Sequence, residues 1–230
     1  MTPEALEAFK AHARAEYPRE ACGLLVNSRY VSCRNLAETP AEHFVLSPHD
    51  YLAASQQGKV EAVCHTHPNA SAEPSEADRA ACEASQLPWY ILSWPTEVLR
   101  SIAPCGHVTP LLGRAFVHGI HDCYGLVRDY YKQTLGIEIP DYERRDQWWE
   151  RGENLYMEFF AEAGFVSVPD LQPHDVILMQ VRSPVANHAA VYLGNNIMIH
   201  HLWGRLSKRD VYGGYWAKHT RLIVRHRSRL

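Results

Sequence analysis

Hydrophobic and polar positions along the chain switch repeatedly between a helical and a strand period, and the switches mark its elements. Behind Thr2-Pro3-Glu4, a helix start with proline in the first turn, Ala5, Leu6, Phe9, Ala13 and Tyr17 form one apolar stripe that ends at Pro18. Cys22 to Val26 and Tyr30 to Arg34 read as paired strands across a turn at Asn27 to Arg29. Glu42 to Leu46 reads as a further strand, Ser47-Pro48 opens a helix toward Gln57, and Val60 to His67 is a buried strand. A helix over Ser75 to Ser85 precedes strands at Trp89 to Ser93 and Glu97 to Ala103. Strands interleaved with helices predict a mixed sheet with helices packed on it.

Pro104 to Pro110 breaks the pattern, and an irregular run follows to Asp122. Cys123 to Leu135 then shows helical spacing in Leu126, Val127, Tyr130, Tyr131 and Leu135, ending at Gly136. A second helix is predicted over Asn154 to Ala163. Strands are predicted at Val176 to Val181, His188 to Leu193, Ile197 to His201 and Leu222 to Val224, with Gly194-Asn195-Asn196 as a tight turn. The expected fold class is α+β in two domains: residues 1–106 as a mixed-sheet α/β domain and residues 107–230 as a helix followed by a small, largely antiparallel sheet.

Length and composition agree with that division. A chain of 230 residues has room for two cores, and 46% hydrophobic with 21% charged residues is ordinary globular composition. Residues 1–106 carry 8 basic and 13 acidic side chains, residues 107–230 carry 15 and 13, so the charge balance changes sign at the proposed boundary. The six cysteines include no Cys-x-x-Cys pair, which argues against a zinc ribbon and for synthesis in a reducing compartment. The N-terminus lacks a basic and apolar signal segment and no apolar run is long enough to span a bilayer, so membrane insertion is not expected.

The first candidate site lies on the buried strand. In Cys64-His65-Thr66-His67-Pro68 the two histidines share one strand face. After a seven-residue loop beyond His67 comes Ser75, a helix N-cap, and Asp78 falls in that helix's first turn. Two imidazoles, one carboxylate and an open position are the ligand set of a catalytic Zn²⁺, with His65, His67 and Asp78 as ligands. Taken singly, Ser-x-x-Asp is also a plain capping pattern and His-x-His a buried polar pair. Together they resemble the JAMM (MPN-type) zinc peptidases. That resemblance implies a general base in a Glu-x-Cys-Gly stretch, here Glu20-Ala21-Cys22-Gly23 with Glu20 as base, and Ser75 as the group that hydrogen-bonds the oxyanion.

The second candidate site starts at Asp122-Cys123-Tyr124-Gly125-Leu126-Val127. A thiol at a helix start is expected to gain thiolate character from the exposed amides and the helix dipole. His188 on a later strand and His200 across a hairpin supply a base and a group that orients it. His201 competes with His200 for that role, since adjacent strand residues face opposite ways. The pattern, with His188-Ala189-Ala190-Val191-Tyr192-Leu193-Gly194, resembles the NlpC family of papain-like cysteine peptidases. Tyr124 replaces the small residue usual after the cysteine, and Asn187 precedes the histidine.

Other polar groups read more simply. His12, His43, His49, His107, His118, His174 and His219 lack ligand spacing. Trp148, Trp149, Tyr142 and Tyr156 read as packing, and Arg221, Arg225, Arg227 and Arg229 as a solvated edge; no nucleic-acid motif is present. A JAMM-type domain followed by an NlpC-type domain resembles the two-domain tail tip proteins of lambda-like phages. That resemblance implies peptidoglycan stem peptides and other phage tail tip proteins as partners, no nucleic acid, and a place at the virion tail tip after synthesis in the host cytoplasm. The alternatives are a bacterial JAMM-type isopeptidase acting on ubiquitin-like or small peptide substrates, and a structural tail component with vestigial sites.

Overall fold

The computed structural model describes residues 1–145 and 147–230. The chain divides into two compact units, Met1–Val108 and Thr109–Leu230.

In the first unit, helix α1 (Pro3–Glu16) is capped by the Thr2 hydroxyl, which accepts from the Ala5 amide. Strands β1 (Cys22–Val26) and β2 (Arg29–Cys33), helix α2 (Pro48–Ser55), β3 (Val60–Pro68), α3 (Glu76–Ser85), β4 (Trp89–Trp94) and β5 (Leu99–Ile102) follow. The sheet order is β2-β1-β3-β4-β5. It is mixed because β3 and β4 run parallel while the other pairs are antiparallel. Strand alternation sends Leu25, Ala62, Cys64 and Leu92 to the face that packs on Phe9 and Ala13 of α1. Leu24, Val63 and Trp89 go to the opposite face, with Ala54 of α2 and Cys82 of α3. The histidines of β3 therefore stand on a strand buried from both sides.

Glu42 to Leu46 does not form the expected strand; a single bridge between Asn35 and Leu46 remains of it. The Asn35 side chain takes the role of a strand neighbour. Its amide donates to the carbonyls of Glu20, Pro40 and His43, and its oxygen accepts from the amides of Ala37 and Val45. With the loop's backbone groups satisfied this way, no ladder is needed.

In the second unit, helix α4 (Cys123–Tyr130) is followed by a wide turn of π-type over Tyr131–Leu135, which Gly136 ends in a left-handed conformation. The expected long helix is thus regular only over its first eight residues. Helix α5 (Leu155–Phe159) is shorter than expected. Strands β6 (Phe165–Ser167), β7 (Val176–Met179), β8 (His188–Gly194), β9 (Ile197–His200), β10 (Lys208–Val211), helix α6 (Gly214–His219) and β11 (Thr220–His226) complete the unit. The sheet is antiparallel throughout, in the order β10-β9-β8-β7-β11-β6. Leu126 and Val127 of α4 pack on Val176, Leu178, Ala189 and Val191, which sets the start of α4 beside the start of β8.

Arg225 is not a solvated edge group. Its guanidinium meets the fully buried carboxylate of Asp175 with two bonds of 2.8 Å. Among the described residues no helix is long and apolar enough to cross a membrane.

Candidate active sites in the two units

The carboxylate and imidazoles of the first unit converge on one point. His65 Nε2 and His67 Nε2 are 3.1 Å apart, and they lie 3.2 and 3.4 Å from the two Asp78 oxygens. A tetrahedral ion with bonds of about 2.0 Å has ligand-to-ligand edges of roughly 3.3 Å, so this triangle fits Zn²⁺. His67 Nδ1 donates to the Ser71 carbonyl at 2.7 Å, which leaves the Nε2 lone pair directed at His65. Among the described residues the buried His65 Nδ1 has no hydrogen-bond partner; its ring is held by stacking on Phe44 at 4.7 Å and by the edge of Trp89 at 5.4 Å. Phe44 comes from the loop that Asn35 organises.

Local sequence explains why Asp78 points inward. Ser75 and Asp78 form a reciprocal capping box. The Ser75 hydroxyl accepts from the Asp78 amide at 3.1 Å and donates to Asp78 Oδ2 at 2.7 Å, while the Ser75 amide also donates to Oδ2 at 2.7 Å. Burial works against the Asp78 charge, but the two histidines and Ser75 outweigh it and hold the carboxyl well below its usual range. Burial lowers the His65 imidazole. For His67, Asp78 and Ser71 overcome burial and raise it.

Glu20 is buried at the entrance to β1. Burial pushes its carboxyl up to about 8; His67 pulls against the rise and Asp78 adds to it. Thr66, between the two histidines, fixes the backbone next to Glu20. Its hydroxyl accepts from the Ala21 amide at 2.8 Å, and its own amide donates to the Ala21 carbonyl at 3.0 Å. Gly23 has no alternative, because a Cβ there would come within 2.5 Å of the Val31 carbonyl oxygen. A carboxyl that titrates near neutrality beside a Zn²⁺-type ligand set is suited to moving a proton.

In the second unit Asp122 caps α4, accepting from the Gly125 amide at 2.7 Å. Its other oxygen takes the Gly119 amide and Arg144 Nε, each at 2.9 Å. The Arg144 guanidinium lies 4.8 Å over the Tyr124 ring, which explains the large residue after the cysteine. At Gly125 a Cβ would collide with the Ile120 carbonyl.

Cys123 Sγ sits 3.2 Å from the Tyr156 hydroxyl and 4.0 Å from the Asn187 carbonyl. Burial pushes the thiol up to about 11, with Asp122 adding to the rise and the Tyr156 contact opposing it. The direction is opposite to the gain in thiolate character expected at a helix start, because burial of the sulfur opposes the first-turn amides. His188 Nε2 is 3.0 Å from His200 Nδ1. Burial, reinforced by the neighbouring histidines, lowers the His188 imidazole to about 3; burial lowers His200 to about 4, against Asp210. These shifts favour the uncharged forms of the thiol and of both imidazoles in the substrate-free site.

His200 rather than His201 meets His188. His201 faces the other way, with Nε2 3.1 Å from the Arg205 carbonyl. His200 Nε2 lies 3.5 Å from Asp210 Oδ2, within ion-pair range yet without a bond of hydrogen-bond geometry. Trp216 closes over the pair, 4.8 Å from the His200 ring and 5.9 Å from that of His188. Cys123 and His188 line one cavity of about 570 Å³ together with Tyr156 and Trp216. Among the described residues no hydrogen bond links Cys123 to His188. Tyr156, Asp210 and Trp216 are members of the site that sequence reasoning missed; Tyr156 was read as packing, and its distance in sequence from Cys123 carries no spacing signal.

Both halves of the chain have known relatives. The NlpC/P60 family matches residues 113–225, and the prokaryotic homologs of the JAB domain match residues 2–103. Tail tip assembly protein K of Escherichia phage N15 is 47% identical over 99% of this chain and 96% of its own length. The chain belongs to the tail tip assembly protein K family. The protein of that name from Escherichia phage lambda is 41% identical over 80% of this chain and 90% of its own. A crystal structure of the NlpC/p60 domain of peptidoglycan hydrolase SagA is 20% identical over 50% of this chain and 89% of that one, with a TM-score of 0.34. The chain is a phage tail protein built of two peptidase-like domains.

Proposed function

We propose that the second unit is a cysteine peptidase that cuts peptidoglycan stem peptides at the tail tip, during genome entry or tail assembly. The first unit is then a zinc-dependent peptidase or isopeptidase. The observation that carries the reading is the pairing of His188 with His200 at 3.0 Å, with His188 lining the same cavity as Cys123. Because His188 Nε2 is engaged by His200, its Nδ1 is the nitrogen left for the thiol. Attack requires Sγ to turn from the Tyr156 hydroxyl toward His188. Sγ then bonds to the scissile carbonyl carbon while its proton passes to Nδ1, and that proton leaves on the departing amine as the C–N bond breaks. Water, deprotonated by His188, hydrolyses the thioester and restores the thiol. The Cys123 and Tyr124 amides at the start of α4, which have no partner inside the helix, are the donors available to the oxyanion.

In the first unit His65, His67 and Asp78 would hold Zn²⁺, and bound Zn²⁺ would supply an acidified water and a Lewis acid. Glu20 would accept and pass on the proton, and Ser75, which caps α3 and donates its hydroxyl to Asp78 Oδ2, would have to release that bond to reach the oxyanion. The names of the relatives support association with other tail tip proteins. Digestion of defined muropeptides by the full chain, with the newly formed amine identified by mass spectrometry, tests the assignment. A new terminus within the stem peptide supports it, and cleavage confined to glycan bonds opposes it.

A further inference from the structure

The two histidines of the first unit's triangle are held in different ways. A metal-bound histidine ordinarily donates from its second nitrogen to a carbonyl, a carboxylate or water, which fixes the direction of its ring. His67 does so, through Nδ1 to the Ser71 carbonyl at 2.7 Å. His65, which is 1% exposed, has no such partner at Nδ1 among the described residues. Aromatic rings lie against it instead. Phe44 stacks on the His65 ring with centroids 4.7 Å apart and planes 26° from parallel, and Trp89 meets it edge-on at 5.4 Å. Trp89 is itself tied down, its indole nitrogen donating to Ser85 Oγ at 3.0 Å.

Phe44 belongs to no strand or helix, so its placement has to come from another source. Asn35 supplies it. Its amide nitrogen donates to the His43 carbonyl at 3.2 Å, and its oxygen accepts from the Val45 amide at 3.1 Å. These two groups belong to the peptide planes on either side of Phe44, so one buried side chain fixes both planes that set the direction of the Phe44 Cα–Cβ bond. The Val45 carbonyl also accepts from the Leu36 amide at 2.8 Å, and the Val45 side chain stays 47% exposed while the Phe44 ring turns in. The same Asn35 nitrogen donates to the Glu20 carbonyl at 3.1 Å, and the Glu20 amide donates to the Pro40 carbonyl at 2.6 Å. Asn35 therefore ties the candidate base and the ring that covers a candidate ligand to one anchor.

We propose that Phe44 is a positioning residue of the metal site: its ring holds the His65 imidazole with Nε2 turned to His67 and Asp78, in the role that a hydrogen bond plays for His67, and Asn35 holds Phe44 in that place. The proposal rests on the reading of His65, His67 and Asp78 as Zn²⁺ ligands, and it adds a loop residue to what sets the affinity for the metal. A stacked ring offers a plane that the imidazole must match, whereas an aliphatic side chain of similar size fills the space without one. Rotation of the His65 ring about its Cβ–Cγ bond would carry Nε2 away from its positions 3.1 Å from His67 Nε2 and 3.2 Å from Asp78 Oδ1.

The test measures metal binding by the full chain at fixed pH, with the His65→Ala/His67→Ala chain as the blank for metal held elsewhere. In competition with a chelating dye, Phe44→Leu should bind Zn²⁺ about 10- to 100-fold more weakly than the parent, the usual cost of losing a group that orients a ligand. Phe44→Tyr, which keeps the ring, should stay close to the parent. Asn35→Asp has the same shape but cannot donate, and should weaken binding as Phe44→Leu does. Saturated with Co²⁺, the parent and Phe44→Tyr should share one visible absorption spectrum and Phe44→Leu should differ, a change that lower fold stability alone does not produce. Phe44→Leu removes no hydrogen bond, so it decides the matter even if Asn35→Asp does not fold. Equal Zn²⁺ affinity in Phe44→Leu, or an equal loss in Phe44→Tyr, would overturn the proposal and leave the metal site standing. A parent chain that takes up no more Zn²⁺ than the blank would remove the metal site and the proposal with it.

Discussion

His188 Nε2 and His200 Nδ1 lie 3.0 Å apart, and this bond decides which nitrogen of each ring remains for other work. His188 keeps Nδ1 for the thiol, and His200 turns Nε2 toward Asp210. A neutral imidazole has one donor and one acceptor nitrogen, so the contact fixes the tautomers of both rings together. His200→Ala should lower kcat on a stem-peptide substrate by about 10²-fold or more with little change in KM, since His200 orients the base and does not touch substrate. His200→Asn should recover part of the loss. An unchanged kcat in His200→Ala would mean that His188 is oriented by something else.

The resting thiol should be protonated at neutral pH. Burial pushes Cys123 up to about 11, and His188, lowered to about 3, cannot supply a positive partner. The rate at which iodoacetamide alkylates Cys123 in the substrate-free chain should therefore climb about tenfold per pH unit from 6 to 10, following the thiolate fraction. A rate that is already level between pH 6 and 8 would reveal a preformed thiolate–imidazolium pair and contradict the neutral site.

Acid should unfold the second unit through the same two histidines. Unfolded, each takes up a proton near its ordinary value of about 6.5; folded, His188 and His200 stay neutral down to about 3 and 4. The unfolded chain binds more protons throughout that window, so their stabilisation is complete above about pH 6.5 and declines as pH falls, by about 1.4 kcal/mol per pH unit for each ring. Thermal unfolding of the full chain from pH 7.5 to 4.5 should be less pH-sensitive in His200→Gln than in the parent. Identical pH dependence in the two would rule out this source of acid sensitivity.

Zinc binding in the first unit should need the triangle of His65, His67 and Asp78. Metal analysis of freshly purified protein should give close to one zinc per chain, and His65→Ala with His67→Ala should abolish it. Glu20→Gln should keep the metal and lose hydrolysis, because the proton-moving group goes while the ligands stay. Equal metal content in parent and double variant would remove the site.

How much was legible in the sequence depended on how far apart the cooperating residues lie. The mixed sheet, the histidine pair on β3 and the capping box of Ser75 and Asp78 were readable because each follows from spacing within one element or its neighbour. Asn35 was not, since its five bonds reach from Glu20 to Val45 and replace a strand that the local pattern suggested. Tyr156 meets Cys123 across 33 positions, and Arg225 meets Asp175 across 50, distances at which periodicity is silent. The surroundings of the thiol were out of reach for a different reason. A helix start is visible in Asp122-Cys123, but the contacts of Cys123 with Tyr156 and the Asn187 turn are tertiary, and burial there opposes the dipole.

The measurement that bears most directly on the central claim compares digestion of purified peptidoglycan by the wild-type chain, the wild-type chain with a zinc chelator, and Cys123→Ala, with the soluble products read by mass spectrometry. The account predicts the same stem-peptide fragments from the first two samples and none from Cys123→Ala. Fragments that persist in Cys123→Ala and vanish with chelator would assign the cell-wall chemistry to the first unit and contradict it.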